Sequence, residues 1–381
     1  MKLSDQKCKL PFQNLVLFDF DGKNCNQYIP CMESINFEDV CQTHKLPNVM
    51  EWQGEQLTPE EVFKHPKFIE LQQSFIDKKE HPWCNSCWKS DDPRYKKLTQ
   101  FERDCNGLMI DFFIGNKCNL GCRTCTPFAS NRLIKDEKYF IENNLDILSA
   151  TDNFFYQKDT DPIQWKWIKE NPDKIKGLTL AGGEPLFVKE IIDTLNEFVR
   201  SGASKEINLQ LRTNGIFLDK HKEMLSKFKG IYLHLSVDAV DDLYHYIRYP
   251  GNFDTLEKSY FNFIDYCSNV KYVYILSVVN SLNVLNLNEV ILWAENKMQF
   301  VEVIPQHRGI GIRSMSEELL QLAIDRSIDS TLSKLIKRAI ECIIPNKKKM
   351  LREITYFDRS RNQSYKEYLD PKLIEWLNEG M

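Results

Sequence analysis

Between residues 108 and 305 the chain alternates two kinds of segment. Short apolar runs are followed by longer amphipathic stretches. The runs are "LMIDFFI" (108–114), "GLTLA" (177–181), "INLQLR" (207–212), "IYLHLSV" (231–237), "KYVYILSVV" (271–279) and "FVEVIP" (300–305). Between them lie segments such as "VKEIIDTLNEFVRSG", with Gly202 placed as a helix stop. Strands separated by helical crossovers make a parallel sheet covered by helices. Six such units fall short of a closed eight-strand barrel. The expected fold is α/β, a partial (β/α)6 TIM-like barrel over 108–310.

The flanks read differently. Residues 1–107 are rich in cysteine and interrupted by Pro and Gly, the mark of a small cysteine-rich domain. Within it "NLVLFDFDGK" reads as a strand entering a turn at Asp21-Gly22. "TPEEVFKHPKFIELQQSFIDKK" reads as helical, with Thr58 as N-cap and Glu61 completing a capping box. Residues 311–381 are expected to form a helical C-terminal extension. The basic "NKKKM" inside it reads as a solvated loop rather than a nucleic-acid contact.

Where the first barrel strand ends, the sequence reads "NKCNLGCRTCTP". Cys118, Cys122 and Cys125 are three thiols within eight residues, with no fourth nearby. The C-terminal end of a parallel strand is the functional end of such a fold. Structural zinc needs four ligands. Three thiolates at this spacing suit a 4Fe–4S cluster with one iron open for a substrate or cofactor. The bland alternative is three unrelated buried thiols. A chain in a reducing compartment keeps its thiols for metal or redox work. Ten of the twelve cysteines lie between Cys8 and Cys125, and Cys267 and Cys342 read as small buried hydrophobes.

Composition narrows the compartment and the partners. The net charge is −4, which offers no bulk attraction to nucleic acid or to an anionic membrane. No apolar run approaches the roughly 18 residues that span a bilayer. The N-terminal residues lack a basic-then-apolar targeting segment. The expectation is a cytoplasmic protein with no nucleic-acid and no membrane partner.

CxxxCxxC after the first strand resembles the signature of the radical S-adenosylmethionine (SAM) superfamily. Three further segments follow in that superfamily's order: "AGGEP" (181–185), "LRTNG" (211–215) and "LSVDAVDDLYHYIRYPG" (235–251). The resemblance implies that Cys118, Cys122 and Cys125 hold a 4Fe–4S cluster whose open iron chelates the amino and carboxylate groups of SAM. It implies SAM contacts from Gly182, Gly183, Glu184 and Pro185, from Thr213 and Asn214, and from Ser236 and Asp238. Arg248, twelve residues after Ser236, would pair with the SAM carboxylate; the alternative is a surface ion pair. Asn283 would line the adenine side, or else form a turn. The chain departs from many members at Thr124, where an aromatic residue usually precedes the third cysteine.

The likeness extends to the N-terminal cysteines, which resemble an auxiliary-cluster module of the SPASM/twitch type. It implies a second 4Fe–4S cluster held by Cys8, Cys31, Cys84 and Cys87, with Cys25, Cys41 and Cys105 as rivals. Four thiolates suit zinc as well. The function implied is reductive cleavage of SAM and hydrogen abstraction from a peptide or protein side chain. A flavodoxin- or ferredoxin-type donor would supply the electron. Two other readings compete with it: radical modification of a small metabolite, and a non-catalytic iron–sulfur or zinc scaffold.

Overall fold

The computed structural model describes residues 10–19, 25–29, 50–53, 57–84, 99–127, 129–142, 163–295, 298–302 and 309–379. The Asp21-Gly22 turn and Cys8, Cys31, Cys41 and Cys87 lie outside the described residues.

All six expected barrel strands are present. They are β4 (Leu108–Phe113), β5 (Ile175–Ala181), β6 (Asn208–Thr213), β7 (Gly230–Ser236), β8 (Val270–Val279) and β9 (Met298–Glu302). Each pairs in parallel with the next. Three earlier strands join the same sheet: β1 (Asn14–Asp19), β2 (Cys25–Ile29) and β3 (Met50–Gln53). The strand order is β3-β2-β1-β4-β5-β6-β7-β8-β9. β1 runs parallel to β4, whereas β2 and β3 fold back antiparallel. Among the described residues β9 and β3 are the two edges, so the barrel they form is open.

Period-2 alternation sorts the side chains of the central strands. Leu178, Leu180, Leu209, Leu211, Ile231, Leu233 and Leu235 are fully buried in the main core. The helices cover that face. Helix Lys189–Ser201 buries Ile191, Leu195 and Phe198 and ends at Gly202, whose φ of +85° is left-handed. On the opposite face, Leu10, Phe101, Cys105, Met109 and Tyr232 form a separate apolar cluster at the N-terminal end of the strands.

Two local expectations change. Thr58 and Glu61 do form a capping box, but the helix beyond breaks into Pro59–Phe63 and Pro66–Ile76. Pro66 has no N–H to continue the first helix, and His65 caps the second through Nδ1. "NKKKM" is not a loop. Asn346 caps helix Lys347–Arg361 by accepting from the Lys349 N–H, and Met350 is fully buried. The C-terminal region is helical as expected, in Glu317–Arg326, Ser330–Glu341, Lys347–Arg361 and Pro371–Asn378.

Candidate active site

The loop after β4 carries Cys118, Cys122 and Cys125. Cys122 is buried, and Cys118 and Cys125 are partly exposed. The loop is fastened through its backbone. Gly121 N–H donates to the Tyr249 carbonyl and Arg123 N–H to the Ile247 carbonyl, both at 2.7 Å. Asn131 Oδ1 accepts from the Cys118 N–H at 3.3 Å, and Leu120 N–H points at Cys118 Sγ at 3.4 Å.

Burial pushes the Cys118 and Cys122 thiols up, and the neighbouring thiols push Cys118 further. Arg248 and Arg361 oppose this at Cys122. A bound metal centre is what deprotonates thiols in such surroundings. Among the described residues no group of three or more His, Cys, Asp or Glu is set to hold a single metal ion. A cubane takes each thiolate on a different iron, so it accepts a wider triangle of sulfurs than one ion does. Three thiols on one fastened loop, with an N–H aimed at one sulfur and two guanidiniums nearby, fit a three-thiolate 4Fe–4S site.

"AGGEP" follows β5 and lies directly against that loop. Gly183 N–H donates to the Gly115 carbonyl at 2.6 Å, and Glu184 N–H to the Lys117 carbonyl at 2.9 Å. A Cβ on Gly183 would lie 2.2 Å from the Lys117 carbonyl oxygen. A Cβ on Gly182, at φ +123°, would lie 2.7 Å from the Gly115 carbonyl oxygen. The backbone that approaches these glycines is therefore that of the cysteine loop itself.

Glu184 is fully buried. Its Oε1 accepts from Leu186 N–H (3.1 Å) and Thr213 Oγ1 (2.7 Å), and its Oε2 from Asn214 N–H (2.7 Å). Burial raises its pKa while these donors and Arg248 lower it, and burial prevails. Pro185 opens the short 3-10 turn that Glu184 caps. Asn214 Nδ2 donates to Asn119 Oδ1 at 2.8 Å, which ties "RTNG" to the cysteine loop.

Asp238, beyond β7, is also fully buried. Its Oδ2 accepts from Arg248 Nη1 at 2.7 Å and its Oδ1 from Val278 N–H at 2.8 Å. Arg248 is thus in a buried ion pair, not a surface one. Its Nε is buried with no hydrogen-bond partner. Ser236 ends β7 alongside Leu276 of β8. Asn283 Nδ2 donates to the carbonyls of Asp238 and Val278, and its Oδ1 accepts from Asn280 N–H. The Asn283 amide is thus occupied in holding the turn after β8.

The N-terminal cysteines are not brought together here as far as they are described. Cys84 is buried in the turn Pro82–Cys84. Cys105 lies in the apolar cluster at the N-terminal end of the strands, its Sγ 3.6 Å from the Lys176 carbonyl. That is the end opposite Cys118.

Four residues of this region escaped the sequence reading. Asn119 sits inside the cysteine motif, where its side chain was the available clue. Arg123 bonds to Tyr246 O, Asp358 Oδ1 and Gln363 Oε1, and Arg361 to Asp136 Oδ2. Asp358 completes the set. No spacing rule connects positions so far apart.

Residues 112–284 match the family model described as Radical SAM superfamily. Those residues hold every strand-end segment described above. No curated protein is significantly similar to the chain. Among solved structures, native anSMEcpe with bound AdoMet is 20% identical over 51% of this chain and 51% of that one, with a TM-score of 0.35. Streptococcus suis SuiB bound to S-adenosylmethionine is 14% identical over 81% and 56%, with a TM-score of 0.34. TYW1 with a lysine-pyruvate adduct bound is 15% identical over 74% and 90%, with a TM-score of 0.31. The chain spans about half the length of the first of these.

Proposed function

We propose that the chain is a radical SAM enzyme that modifies a peptide or protein side chain by hydrogen abstraction. The observation that carries the reading is convergence. "AGGEP", "RTNG" and the Asp238–Arg248 pair all meet the cysteine loop at the C-terminal ends of consecutive parallel strands.

Cys118, Cys122 and Cys125 would hold the cluster. When bound, cluster and SAM would supply reductive cleavage of the sulfonium C–S bond and, through it, hydrogen abstraction from the substrate. The chain's own residues bind and orient. Glu184 has one acceptor position left on Oε2 for the SAM ammonium, since three of its roughly four are filled. Arg248 keeps its Nε for the SAM carboxylate while Asp238 fixes the guanidinium. Burial of Glu184, Asp238 and Cys122 keeps water from the centre, which is the protein's share in cofactor chemistry.

The proposal extends to a second 4Fe–4S cluster on Cys8, Cys31, Cys84 and Cys87, and to an electron donor of the flavodoxin or ferredoxin type. A peptide or protein substrate is the reading that an auxiliary cluster favours.

The test is 5′-deoxyadenosine formation from SAM with dithionite under anaerobic conditions. The reconstituted protein should form it and Cys122→Ala should not, while both unfold cooperatively at similar temperature. Equal product from the two would refute the assignment.

A further inference from the structure

The inward face of the barrel holds a polar patch that the cofactor contacts do not use. Asp111 of β4 lies beside Thr179 of β5, and Thr179 beside Gln210 of β6. Two residues along β6, Arg212 lies beside His234 of β7, and His234 beside Tyr274 of β8. Their alternates, Ile110, Leu178, Leu209, Leu211 and Leu233, belong to the core beneath the helices. Strand pleating therefore turns the polar set inward.

Hydrogen bonds order this patch. Thr179 Oγ1 donates to Gln210 Oε1 at 3.1 Å. Gln210 Nε2 lies 3.2 Å from His234 Nε2. With its oxygen taken by the threonine, the amide offers its NH2, so His234 Nε2 accepts and Nδ1 carries the hydrogen. Tyr274 meets the imidazole edge-on at 5.5 Å between centroids.

Arg212 breaks the pattern. Among the described residues it makes no hydrogen bond and no ion pair, and its Nε is fully buried. Asp111 feels its charge without bonding to it. Five donors on a fixed fork are thus left with nothing to hold inside a fold. A partly buried guanidinium with no hydrogen-bond acceptor costs stability unless a ligand answers it. Its position is also specific. Arg212 immediately precedes Thr213 and Asn214, which bond to Glu184 at the strand ends.

We propose that the Arg212–His234 corner binds an anionic group of the substrate, a carboxylate or a phosphate, one residue beneath the strand-end loops. A guanidinium fork matches either group with two parallel bonds, and His234 Nδ1–H is a further donor beside it. The word substrate rests on the radical SAM reading; the anion site itself does not.

The full-length protein as purified is titrated with inorganic phosphate, and separately with acetate, while its melting temperature is followed. A ligand that binds only the folded state raises that temperature by mass action. The wild type should show a saturating rise, Arg212→Lys a smaller one and Arg212→Met none. The anion giving the larger saturating shift tells phosphate from carboxylate. A rise of the same size in all three proteins is a bulk salt effect and overturns the proposal. Failure of Arg212→Met to fold also overturns it, because that marks a structural arginine. No arm uses SAM. Loss of the anion site would leave the SAM-cleavage assay to stand or fall alone, and absence of SAM cleavage would leave an anion site in the barrel.

Discussion

At the scale of single residues, Gly183 and His234 make opposite demands on their surroundings. Gly183 has no room for a side chain, because the Lys117 carbonyl lies where a Cβ would go. Gly183→Ala must therefore push the cysteine loop away from "AGGEP". The expected cost is about 1–3 kcal/mol in urea unfolding, with loss of 5′-deoxyadenosine formation. Unchanged stability and activity would show that the two loops separate freely. His234 is held neutral, its pKa lowered to about 3, chiefly by burial and then by Arg212. A depressed histidine takes up fewer protons folded than unfolded. Stability is therefore lost as pH falls from the ordinary value of 6.5 towards 3. His234→Gln should flatten the melting temperature against pH in that window relative to the wild type. Parallel curves for the two proteins would place the imidazole in water.

At the scale of elements, the cysteine loop is held by the C-terminal helix Lys347–Arg361 as well as by the barrel. Asp358 on that helix accepts from Arg123 Nη2 at 2.7 Å and from Tyr246 Oη at 2.9 Å through Oδ1, and from Tyr365 N–H at 2.7 Å through Oδ2. The Arg123 guanidinium also lies 3.8 Å from the Tyr246 ring centroid. Both charges are buried, so removing one leaves the other without compensation. Asp358→Ala should cost roughly 3–5 kcal/mol and lower the iron retained after reconstitution. Urea unfolding and iron analysis measure the two effects. The exposed pair Arg200–Glu197 is the contrast, where Glu197→Ala should change stability by less than about 1 kcal/mol. If the two substitutions cost the same, the helix is not the loop's anchor.

At the scale of the whole molecule, the N-terminal residues join a structural part to a proposed chemical one. Their strands β1–β3 extend the barrel sheet past β4, and their cysteines are proposed to hold a second cluster. Anaerobic reconstitution should therefore yield about eight irons per chain, the content of two 4Fe–4S clusters. The Cys84→Ala/Cys87→Ala variant should keep about four and still cleave SAM. Iron, sulfide and zinc analysis decides it. About four irons with stoichiometric zinc in the unaltered protein would make the N-terminal site a zinc clip.

The barrel strands and the positions of the strand-end segments were legible in the sequence because each is a local property. Apolar period, glycine, proline and cysteine spacing act over a few residues, and all six barrel strands stand where the apolar runs put them. The capping box at Thr58 and the stop at Gly202 were legible for the same reason. The helical start at "NKKKM" was not, since a polar run is helical or solvated according to the cap before it and the core that receives Met350. Nor was Arg123 legible, because its carboxylate partner lies 235 residues away and only the packed helix brings it there. The glycines of "AGGEP" could be read as a close approach, but only the folded chain shows that the approaching group is the cysteine loop. Arg212 is the sharpest case. Its place on a strand was fixed by periodicity, while its lack of a hydrogen-bond partner among the described residues is decided by what the neighbouring strands turn inward, a property of the assembled sheet and not of the segment "LRTNG".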